Sequence, residues 1–367
     1  MTPLELLYYF GSSLKKYQAL QKRKRLPCRV ISIGNLTLGG TGKTPAVISL
    51  AREARKRGWK PCILTRGYRG KAPGPCFVSN GETLLLNEHQ AGDEALLIAG
   101  KLQGVPVVKG KDRYRSGMFA LSFLPANCKP DLFILDDGFQ HWMLSRDKDV
   151  LLVDGTNPFG NRRLFPLGPL REPVKEAGRA DILVITKADA GGAQESVLNS
   201  QNSGSTPSLT LPPRGGGMGG WDRKEGSGLN GLMEELQRIN PGAPVFHAGH
   251  RATGFLSARG ESYPLEWGEG KEFFGFCGIG TPRSFEKSLS ASGLRLKGFK
   301  AFRDHYRYSQ GDIEGIRREA EKKGADWIVT TEKDIMRLRH FVLPENLVLL
   351  LIEFAVDDGF YDAVLSF

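Results

Sequence analysis

The chain has 367 residues, of which 40% are hydrophobic and 25% are charged. This composition is that of a globular protein, so disorder is excluded as a description of the whole chain, and the length predicts two or three domains. The formal net charge of +11 favours an anionic partner such as a nucleotide, a nucleic acid or an acidic lipid. The five cysteines lie far apart with no CxxC pair, so we expect neither a zinc site nor a disulfide framework, and we expect a reducing cytosolic compartment.

The first segment, residues 1–28, combines a helical pattern with a basic cluster. Apolar residues recur at helical spacing in LELLYYFGSSLKKYQAL, and KRKR follows at 22–25. The longest apolar run, LLYYF, is too short to span a bilayer, and a signal peptide would carry its positive charge first. Two interpretations stay open: a helix packed on its own domain, or an interfacial helix with the basic run on anionic headgroups. Nucleic acid is a weaker third partner, because no recognisable reading module accompanies the cluster.

From residue 29 to residue 243, short apolar runs alternate with helical patterns. Strands are predicted at CRVISIG, KPCILTRG, VPVVKG, PDLFILDDGFQ, KDVLLVDG and ADILVITKAD. Helices are predicted at TPAVISLAREARKRG, GDEALLIAGKLQG and DRYRSGMFALSFL. Strands that are apolar throughout and separated by helices are typical of a parallel sheet covered on both faces. We therefore predict an α/β domain over 29–243.

The second half of the chain contains an insert, a linker and a smaller domain. Residues 190–228 are dominated by Gly, Ser, Pro and Asn without a periodic apolar face, which indicates a flexible surface insert. After the helical pattern GLMEELQRINP, residues 244–270 contain two strand-like pieces that we interpret as a two-stranded ribbon linker. Residues 271–367 predict a second α/β domain, with strands at KEFFGFCGIG, RLKGFKAFRDH, ADWIVTTEKD and NLVLLLIEFA and helices at SFEKSLSASG and DIEGIRREAEKKG.

The stretch NLTLGGTGKTP, residues 35–45, follows the strand CRVISIG and leads into a helical pattern. A glycine-rich turn in this position directs backbone N–H groups at one point, and the helix dipole adds partial positive charge there. Lys43 would then reach the β- and γ-phosphates of a nucleotide, and the Thr44 hydroxyl would bind Mg²⁺. Thr37 replaces the first glycine of the usual GxxxxGK[ST] pattern. The predicted nucleotide-binding residues are Thr37, Leu38, Gly39, Gly40, Thr41, Gly42, Lys43 and Thr44.

Proteins with such a loop also need an acidic residue at the end of a neighbouring buried strand to hold the metal. The stretch DLFILDDGFQH provides Asp136 and Asp137 after four apolar residues. A solvated turn is the alternative, because Asp-Gly is common in turns. The phosphate loop upstream favours a metal role for at least one of the two carboxylates, and the spacing does not distinguish between them.

These motifs indicate a protein that uses a nucleoside triphosphate, but they do not name an acceptor. The loop also resembles the variant phosphate loop of partitioning ATPases, which carry KGG before GK[ST]. Those proteins have a lysine where this chain has Leu38. A membrane-surface partitioning-type ATPase therefore stays open as the alternative function, weakened by that position.

Eight landmarks in order along the chain resemble one family, the tetraacyldisaccharide 4′-kinases, which are the lipid A 4′-kinases of Gram-negative bacteria. The landmarks are SIGNLTLGGTGKTP (32–45), TRGYRG (65–70), GDE (92–94), ILDDGFQH (134–141), LREP (170–173), FCGIG (276–280), FRDHYRY (302–308) and TEKD (331–334). The resemblance leaves out the insert at 190–228.

The resemblance implies transfer of the γ-phosphate of ATP to the 4′-hydroxyl of an acylated diglucosamine 1-phosphate, which gives lipid IVA, with Mg²⁺ as cofactor. It implies a P-loop α/β domain and a smaller α/β domain, joined by a two-stranded ribbon, with the active site between them. It also implies peripheral attachment to the anionic cytoplasmic face of the bacterial inner membrane, which suits residues 1–28. We expect no nucleic acid and no obligate protein partner.

The resemblance also assigns roles to site residues. A sugar hydroxyl needs a base to take its proton, and the family pattern gives this role to an Asp–His pair that matches Asp93 and His305. Without the resemblance, Asp93 would be interpreted as a helix N-cap and His305 as a partly buried histidine at a strand end. The family often has DHHPY where this chain has DHYRY, so the departure at Tyr306 and Arg307 leaves His305 as the only histidine there.

The remaining implied roles are less specific. Arg113 and Arg171 match catalytic positions near the phosphates or the anionic substrate, although exposed salt bridges would be the ordinary interpretation. Glu172 is expected in the metal shell. Tyr68 and Gln140 are expected to line the nucleotide site. The TEKD residues Thr331, Lys333 and Asp334 either support the second domain or contact nucleotide.

Overall fold

The computed structural model describes residues 2–187 and 228–367. The predicted insert at 190–228 lies outside these ranges, apart from residue 228, which begins a helix. The strands are β1 (Arg29–Gly34), β2 (Pro61–Thr65), β3 (Cys76–Ser79), β4 (Val107–Lys109), β5 (Leu132–Asp136), β6 (Lys148–Asp154), β7 (Ile182–Thr186), β8 (Val245–Ser257), β9 (Ser262–Pro264), β10 (Glu272–Cys277), β11 (Arg295–Ala301), β12 (Trp327–Thr331) and β13 (Leu347–Val356). The helices are α1 (Pro3–Gln21), α2 (Lys43–Lys56), α3 (Glu88–Ala91), α4 (Asp93–Lys101), α5 (Arg113–Phe123), α6 (Gly228–Ile239), α7 (Pro282–Ala291), α8 (Gln310–Lys322), α9 (Glu332–Leu338) and α10 (Phe360–Leu365).

The strands form one mostly parallel sheet in the order β11-β10-β12-β13-β8-β7-β6-β1-β5-β2-β4-β3, with β9 paired to β8. The predicted α/β class is confirmed. We call β1–β7 with α2–α6 the first lobe, β10–β12 with α7–α9 the second lobe, and β8 with β13 the ribbon. The four-residue edge strand β3, antiparallel to β4, was not predicted because it is too short to show a pattern.

The central strands are apolar throughout because both faces of the sheet are buried. In β1, Ile31 and Ile33 belong to the core under α2, whereas Val30 belongs to the core on the opposite face. The helix α2 contributes Val47 and Leu50 to the first of these cores. The parallel pairing of β1, β2, β4, β5, β6 and β7 places the carboxyl ends of these strands, and the loops that follow them, at a single edge.

Two glycine-dependent contacts shape that edge next to β1. A Cβ on Gly34 would lie 2.5 Å from the Cβ of Phe139, so no larger residue fits there without displacing the turn after β5. The Gly138 N–H donates to the Ile33 carbonyl at 3.0 Å. The turn that carries Asp136 and Asp137 is therefore packed directly against the start of the phosphate loop.

The ribbon differs from the expected linker. Residues Val245–Ala248 of β8 pair in parallel with β7, and the rest of β8 pairs antiparallel with β13. The second ribbon strand therefore comes from near the C-terminus and not from within 244–270. The second strand-like piece of that segment contributes only β9, which is three residues long, ends at Pro264 and pairs with the far end of β8. A proline cannot donate to a ladder, so extension of β9 is disfavoured.

Two strands of the second lobe end earlier than predicted. β12 ends at Thr331, whose side chain caps α9 by accepting from the Asp334 N–H, so the TEKD residues begin a helix. β11 ends at Ala301, and His305 lies in the turn beyond it with a φ of +57°. In both cases polar residues follow the carboxyl end of a second-lobe strand, where they become available to a site.

The chain returns to the first lobe after the ribbon. Phe360, Val364 and Leu365 of α10 belong to the same buried core as α2. The Tyr361 hydroxyl lies 2.6 Å from Ser49 Oγ on α2. The last helix thus packs on the first lobe, whereas its sequence position grouped it with the domain at 271–367; the domain boundaries stay a prediction.

The N-terminal helix α1 is docked on the first lobe by its polar side. Glu5 is buried and bonded to Arg163 at 3.1 Å, and the Tyr8 hydroxyl donates to the Arg171 carbonyl at 3.1 Å. Lys16 pairs with Glu176. None of the helices in 2–187 and 228–367 is both long enough and apolar enough to cross a bilayer.

Candidate active site

The phosphate loop lies at the carboxyl edge of the sheet, between β1 and α2. Buried Asn35 donates from Nδ2 to the Thr37 carbonyl at 2.9 Å and accepts from Lys43 Nζ at 3.0 Å. Gly42 caps α2 with a φ of +81°, a conformation that favours glycine. Lys43 is therefore held at the mouth of a loop in which a helix N-terminus points its N–H groups outward, and such a loop can hold phosphate oxygens.

Two residues of the predicted nucleotide-binding loop are held by contacts with neighbouring backbone. The Leu38 N–H donates to the Pro169 carbonyl at 2.7 Å, and Thr37 forms a bridge with Leu170. Gly39 and Gly40 are exposed, with no atom within 4 Å of an added Cβ. The open part of the loop begins at Gly39, and Thr37 and Leu38 serve to fasten it. Their contact with nucleotide stays a prediction.

Asp137 lies opposite the loop in a cationic pocket. Arg171 donates to both carboxylate oxygens at 2.9 Å, and Lys43 Nζ lies 3.7 Å away. Burial would raise the pKa of Asp137, but the charges of Lys43 and Arg171 outweigh it and hold the pKa below its ordinary value. Arg171 also donates to Gln140 Oε1 at 3.3 Å, and Gln140 Nε2 donates to the Asn35 carbonyl at 2.9 Å. These predicted residues thus form one network around the loop.

Asp136 is in a different electrostatic state from its neighbour. Its side chain is buried and accepts from Thr65 Oγ1 at 2.8 Å. Burial, followed by the negative charges of Glu94 and Asp137, raises the pKa of Asp136 to about 6, although Lys43 acts in the opposite direction. A buried carboxylate with too little compensating charge is the kind of group that a divalent cation would satisfy. This difference separates the two aspartates, which were equivalent candidates in the sequence.

Arg113 supports the same corner of the site from α5. Its guanidinium donates to the carbonyls of Gly110 at 2.9 Å and Asp136 at 3.3 Å. Burial lowers the pKa of Arg113 to about 10, against the opposing charges of Asp136 and Asp137, so the side chain stays cationic at neutral pH. Its Nε has no partner among the described residues. A buried cation with a free donor beside Asp136 can bind a phosphate oxygen.

Of the residues predicted to bind Mg²⁺, Thr44 lies in the first turn of α2 and Asp136 ends β5, and their metal role stays a prediction. Glu172, which the resemblance places in the metal shell, is instead paired with Arg179 at 2.5 Å, and within the described ranges no hydrogen bond joins it to Asp136. In 2–187 and 228–367 no group of three His, Cys, Asp or Glu side chains is arranged to hold a metal.

The predicted Asp–His pair is present and joins the two lobes. His305 Nδ1 lies 3.1 Å from Asp93 Oδ2, across 212 positions of sequence. Asp93 is the first residue of α4. The backbone N–H of His305 donates to the Gly278 carbonyl at 3.1 Å. The Tyr68 ring lies 6.4 Å from the imidazole and is mostly exposed, so it flanks this pair. Tyr68 therefore lies beside the Asp93–His305 pair, and its contact with nucleotide stays a prediction.

Arg337 completes this cluster and was not predicted from the sequence. Its Nε donates to Asp93 Oδ2 at 2.7 Å, and its Nη1 donates to the Gly278 carbonyl at 2.9 Å. Burial would raise the pKa of Asp93, but the hydrogen bond with His305 and the charge of Arg337 hold it below its ordinary value. The sequence signal that could have indicated Arg337 is its position three residues after Asp334 in TEKDIMR, about one helical turn further on.

The TEKD residues support this cluster. Asp334 is fully buried, accepts from the Gly278 N–H at 3.1 Å and lies 3.2 Å from Arg337 Nη1. Thr331 Oγ1 donates to Asp334 Oδ2 at 2.6 Å. Lys333 reaches the first lobe, where it donates to Glu94 at 3.3 Å. These contacts support the first of the two roles left open for TEKD, the structural one.

Comparisons with known proteins agree with one another. A family model for LpxK, described as tetraacyldisaccharide-1-P 4′-kinase, matches residues 1–366. A tetraacyldisaccharide 4′-kinase of Syntrophus aciditrophicus is 39% identical over 317 residues, covering 86% of this chain and 76% of the relative. Another, of Desulfotalea psychrophila, is 37% identical over 346 residues, covering 92% and 87%. The solved "apo" form of LpxK from Aquifex aeolicus in complex with ATP has 31% identity and a TM-score of 0.71, covering 99% of this chain and 96% of that one.

The raised pKa of Asp136 predicts a stability difference that depends on pH. Between its ordinary value of 3.8 and about 6, the native carboxyl keeps a proton that the unfolded chain has lost, so stability falls as pH rises through this interval. Asp136→Asn imitates the protonated form. Relative to the parent, we expect the free energy of unfolding of Asp136→Asn to gain about 2 kcal/mol between pH ~4 and pH ~7.

Urea unfolding midpoints of the parent and Asp136→Asn, measured in EDTA across that range, test this expectation. Asp131→Asn, at an exposed carboxylate outside the site, serves as the control. A midpoint difference for Asp136→Asn that does not change with pH would contradict the assignment of a raised pKa.

Proposed function

Because this chain belongs to the tetraacyldisaccharide 4′-kinase family, whose members are ATP-dependent phosphotransferases, we propose that its two lobes divide one phosphoryl transfer between them. The donor is ATP, and the acceptor is the 4′-hydroxyl of an acylated diglucosamine 1-phosphate. The family resemblance of the sequence landmarks is confirmed, and the partitioning-type ATPase loses its support. The observation that carries the mechanism is the contact between Asp93 and His305 across the lobes.

The first lobe holds the nucleotide phosphates. Backbone N–H groups from Gly39 to Thr44 surround the phosphate chain, and Lys43 bridges its terminal oxygens. Arg113 and Arg171 add positive charge at the side of the loop where Asp136 and Asp137 lie. Thr44 and Asp136 would hold Mg²⁺, which when bound neutralises charge on the β- and γ-phosphates.

The proton of the acceptor hydroxyl goes to His305. The carboxylate of Asp93, with its lowered pKa, is a poor proton acceptor, and it serves to orient the imidazole through Nδ1. His305 Nε2 then accepts the hydroxyl proton as the sugar oxygen bonds to the γ-phosphorus. The bond between that phosphorus and the bridging oxygen breaks, and ADP leaves with the electron pair. Arg337 keeps the carboxylate in place during this step.

Substitutions at the two halves of the site should separate their roles. Lys43→Ala should reduce kcat by ~10³-fold or more, because it removes charge that stabilises the transferring phosphoryl group. Asp93→Asn should reduce kcat by ~10²–10⁴-fold while the KM for ATP stays similar, because the base loses its orientation. The assay is transfer of radiolabel from [γ-³²P]ATP to the acylated disaccharide.

Two variants at exposed side chains outside the site control for this test. Lys56→Ala removes an exposed lysine from the same helix as Lys43, and Asp358→Asn removes an exposed carboxylate. Both should keep kcat within about twofold, as surface substitutions ordinarily do. Normal turnover in Lys43→Ala or Asp93→Asn would contradict the mechanism.

We further propose that α1 rests on an anionic membrane surface, the cytoplasmic face of the bacterial inner membrane. Its polar side is occupied by Glu5, Tyr8 and Lys16, which bind the first lobe. The opposite side presents apolar side chains that are 39–72% exposed: Leu4, Leu6, Leu7, Phe10, Leu14, Tyr17 and Leu20. The basic run at 22–25 follows at its end. Apolar side chains beside a cationic cluster suit the interface of an anionic bilayer, where a four-chain lipid substrate resides.

Replacing Leu7 and Phe10 by Glu should weaken membrane association without harming the nucleotide site. We expect at least ~10-fold weaker partitioning onto vesicles that contain an anionic lipid, because both apolar anchors are lost and negative charge is added. The KM for the lipid should rise while the KM for ATP stays unchanged. Val342→Glu, at a side chain that is 79% exposed on the second lobe, is the control. Unchanged vesicle recovery for the double variant would contradict this role of α1.

A further inference from the structure

A cavity of about 270 Å³ lies where the first lobe, the ribbon and the second lobe meet. The helix α2 lines it from Thr44 to Lys56, which is about three helical turns, so the cavity extends away from the phosphate loop. Its other sides come from α4, β13, α10 and Glu332, the first residue of α9. Among the groups of the candidate active site, only Thr44 lines this cavity.

The walls of the cavity offer room for an apolar body. Ile48 of α2, Leu97 of α4 and Phe354 of β13 line it with side chains that are otherwise buried. An apolar cavity of ~150 Å³ is large enough for benzene. The volume here is therefore sufficient for a body of about two fused rings. Small-molecule sites typically combine such walls with a few well-placed polar groups.

One guanidinium is held at this cavity without an acidic partner. Arg52 donates from Nη2 to the Lys101 carbonyl at 3.1 Å, which holds its side chain against α4. The carboxylates that line the cavity nearby are paired with other cations: Glu53 with Arg57 at 2.9 Å, and Glu332 with Lys101. Among residues 2–187 and 228–367, Arg52 therefore has no ion pair, and its remaining N–H groups are available to a ligand.

The charges around this guanidinium favour an anion. Lys101 and Arg52 both act on the carboxylate of Glu332, whose pKa is nevertheless raised by burial. Two cations thus face one acid, which leaves one positive charge in excess. Lys56 and Glu353 are exposed, carry opposite charges and do not change this sum. A carboxylate suits the excess charge, because a guanidinium can donate two parallel N–H bonds to its oxygens.

We propose that this cavity is a binding site for a small amphiphilic carboxylate, whose apolar body lies between Ile48, Leu97 and Phe354 and whose charged end lies on Arg52. Such a ligand would contact α2 and α4 of the first lobe, β13 of the ribbon and Glu332 of the second lobe. A ligand that binds the folded chain stabilises it, so the contact between these parts would be strengthened when the site is filled. The site is independent of the phosphoryl acceptor proposed above.

The test is a calorimetric titration of 2-naphthoate into the full chain, with Mg-ADP present at saturation to occupy the phosphate loop. We expect one site with a Kd of ~1 mM or lower, from the binding free energy that a ligand of this size reaches. Arg52→Gln should raise this Kd at least ~10-fold, because the charge-assisted hydrogen bonds are lost. The uncharged 2-naphthamide should bind the parent more weakly than 2-naphthoate, and it should bind Arg52→Gln and the parent equally.

Two further variants define where the probe binds. Ile48→Phe places a larger side chain in the cavity and should abolish 2-naphthoate binding. Arg55→Gln is the matched control, because Arg55 is an exposed arginine of the same helix that also bonds a backbone carbonyl, that of Gln103, but does not line the cavity. It should leave the Kd within about twofold, as surface substitutions ordinarily do.

No saturable binding of 2-naphthoate to the parent, or the same Kd for the parent and Arg52→Gln, would overturn the site. If Ile48→Phe does not fold, as judged by its thermal melting, Arg52→Gln decides the outcome alone. The readout is binding and not phosphoryl transfer. A chain that binds 2-naphthoate through Arg52 but does not phosphorylate the lipid would therefore contradict the proposed function and leave this site intact.

Discussion

The carboxylate of Asp93 joins the two lobes at the candidate active site. It is supplied by α4 of the first lobe, and its partners His305 and Arg337 both come from the second. A mostly buried carboxylate needs such partners, since removing one member of a buried charged pair typically costs about 3–5 kcal/mol. Under the proposed mechanism, the orientation of the His305 imidazole by Asp93 therefore requires contact between the lobes.

The single sheet explains how distant groups converge. In the first lobe, the parallel strands β1 and β5 place their carboxyl ends at one edge, where the phosphate loop and Asp137 follow them. In the second lobe, β10 and β12 are parallel to each other but run opposite to the first-lobe strands, because β13 pairs antiparallel with β8. The contact between His305 and Asp93 joins the two sets of residues. The ribbon strands β8 and β13 carry the sheet from one lobe to the other, and α10 fastens the returning chain to α2. Asp136 and Asp137 lie at the end of β5, the neighbour of β1 on one side.

Local patterns were sufficient for much of this fold. The runs that became β1, β5, β6 and β7 are apolar because both faces of the sheet are covered, and this needs no knowledge of their partners. The glycine-rich loop could also be predicted from the sequence, since its chemistry depends on adjacent residues. Strand pairings across long distances could not be predicted, because nothing in 244–270 indicates that β8 pairs with residues 347–356. The elements β3, α3, α9 and α10, of four to seven residues, are too short to show a repeated apolar pattern.

The residues of the candidate site also fall into those that local sequence predicts and those that depend on the tertiary fold. Lys43, Thr44 and the pair Asp136 and Asp137 follow from a loop and a strand end, whereas the pairing of Asp93 with His305 came only from the family resemblance. Arg337 was missed because a cation in a helix is ordinarily a surface residue, and its burial against Asp334 depends on the tertiary fold. The family resemblance assigned Glu172 to the metal shell, and its pairing with Arg179 could not be predicted from the sequence.

A double-mutant cycle on kcat tests the central claim most directly. If Asp93 and His305 act as one unit that takes the acceptor proton, then Asp93→Asn combined with His305→Gln should be no slower than the slower single variant, because the second substitution removes nothing that still works. Losses that multiply in the double variant would show that the two side chains act independently, and they would contradict a shared role in taking the proton.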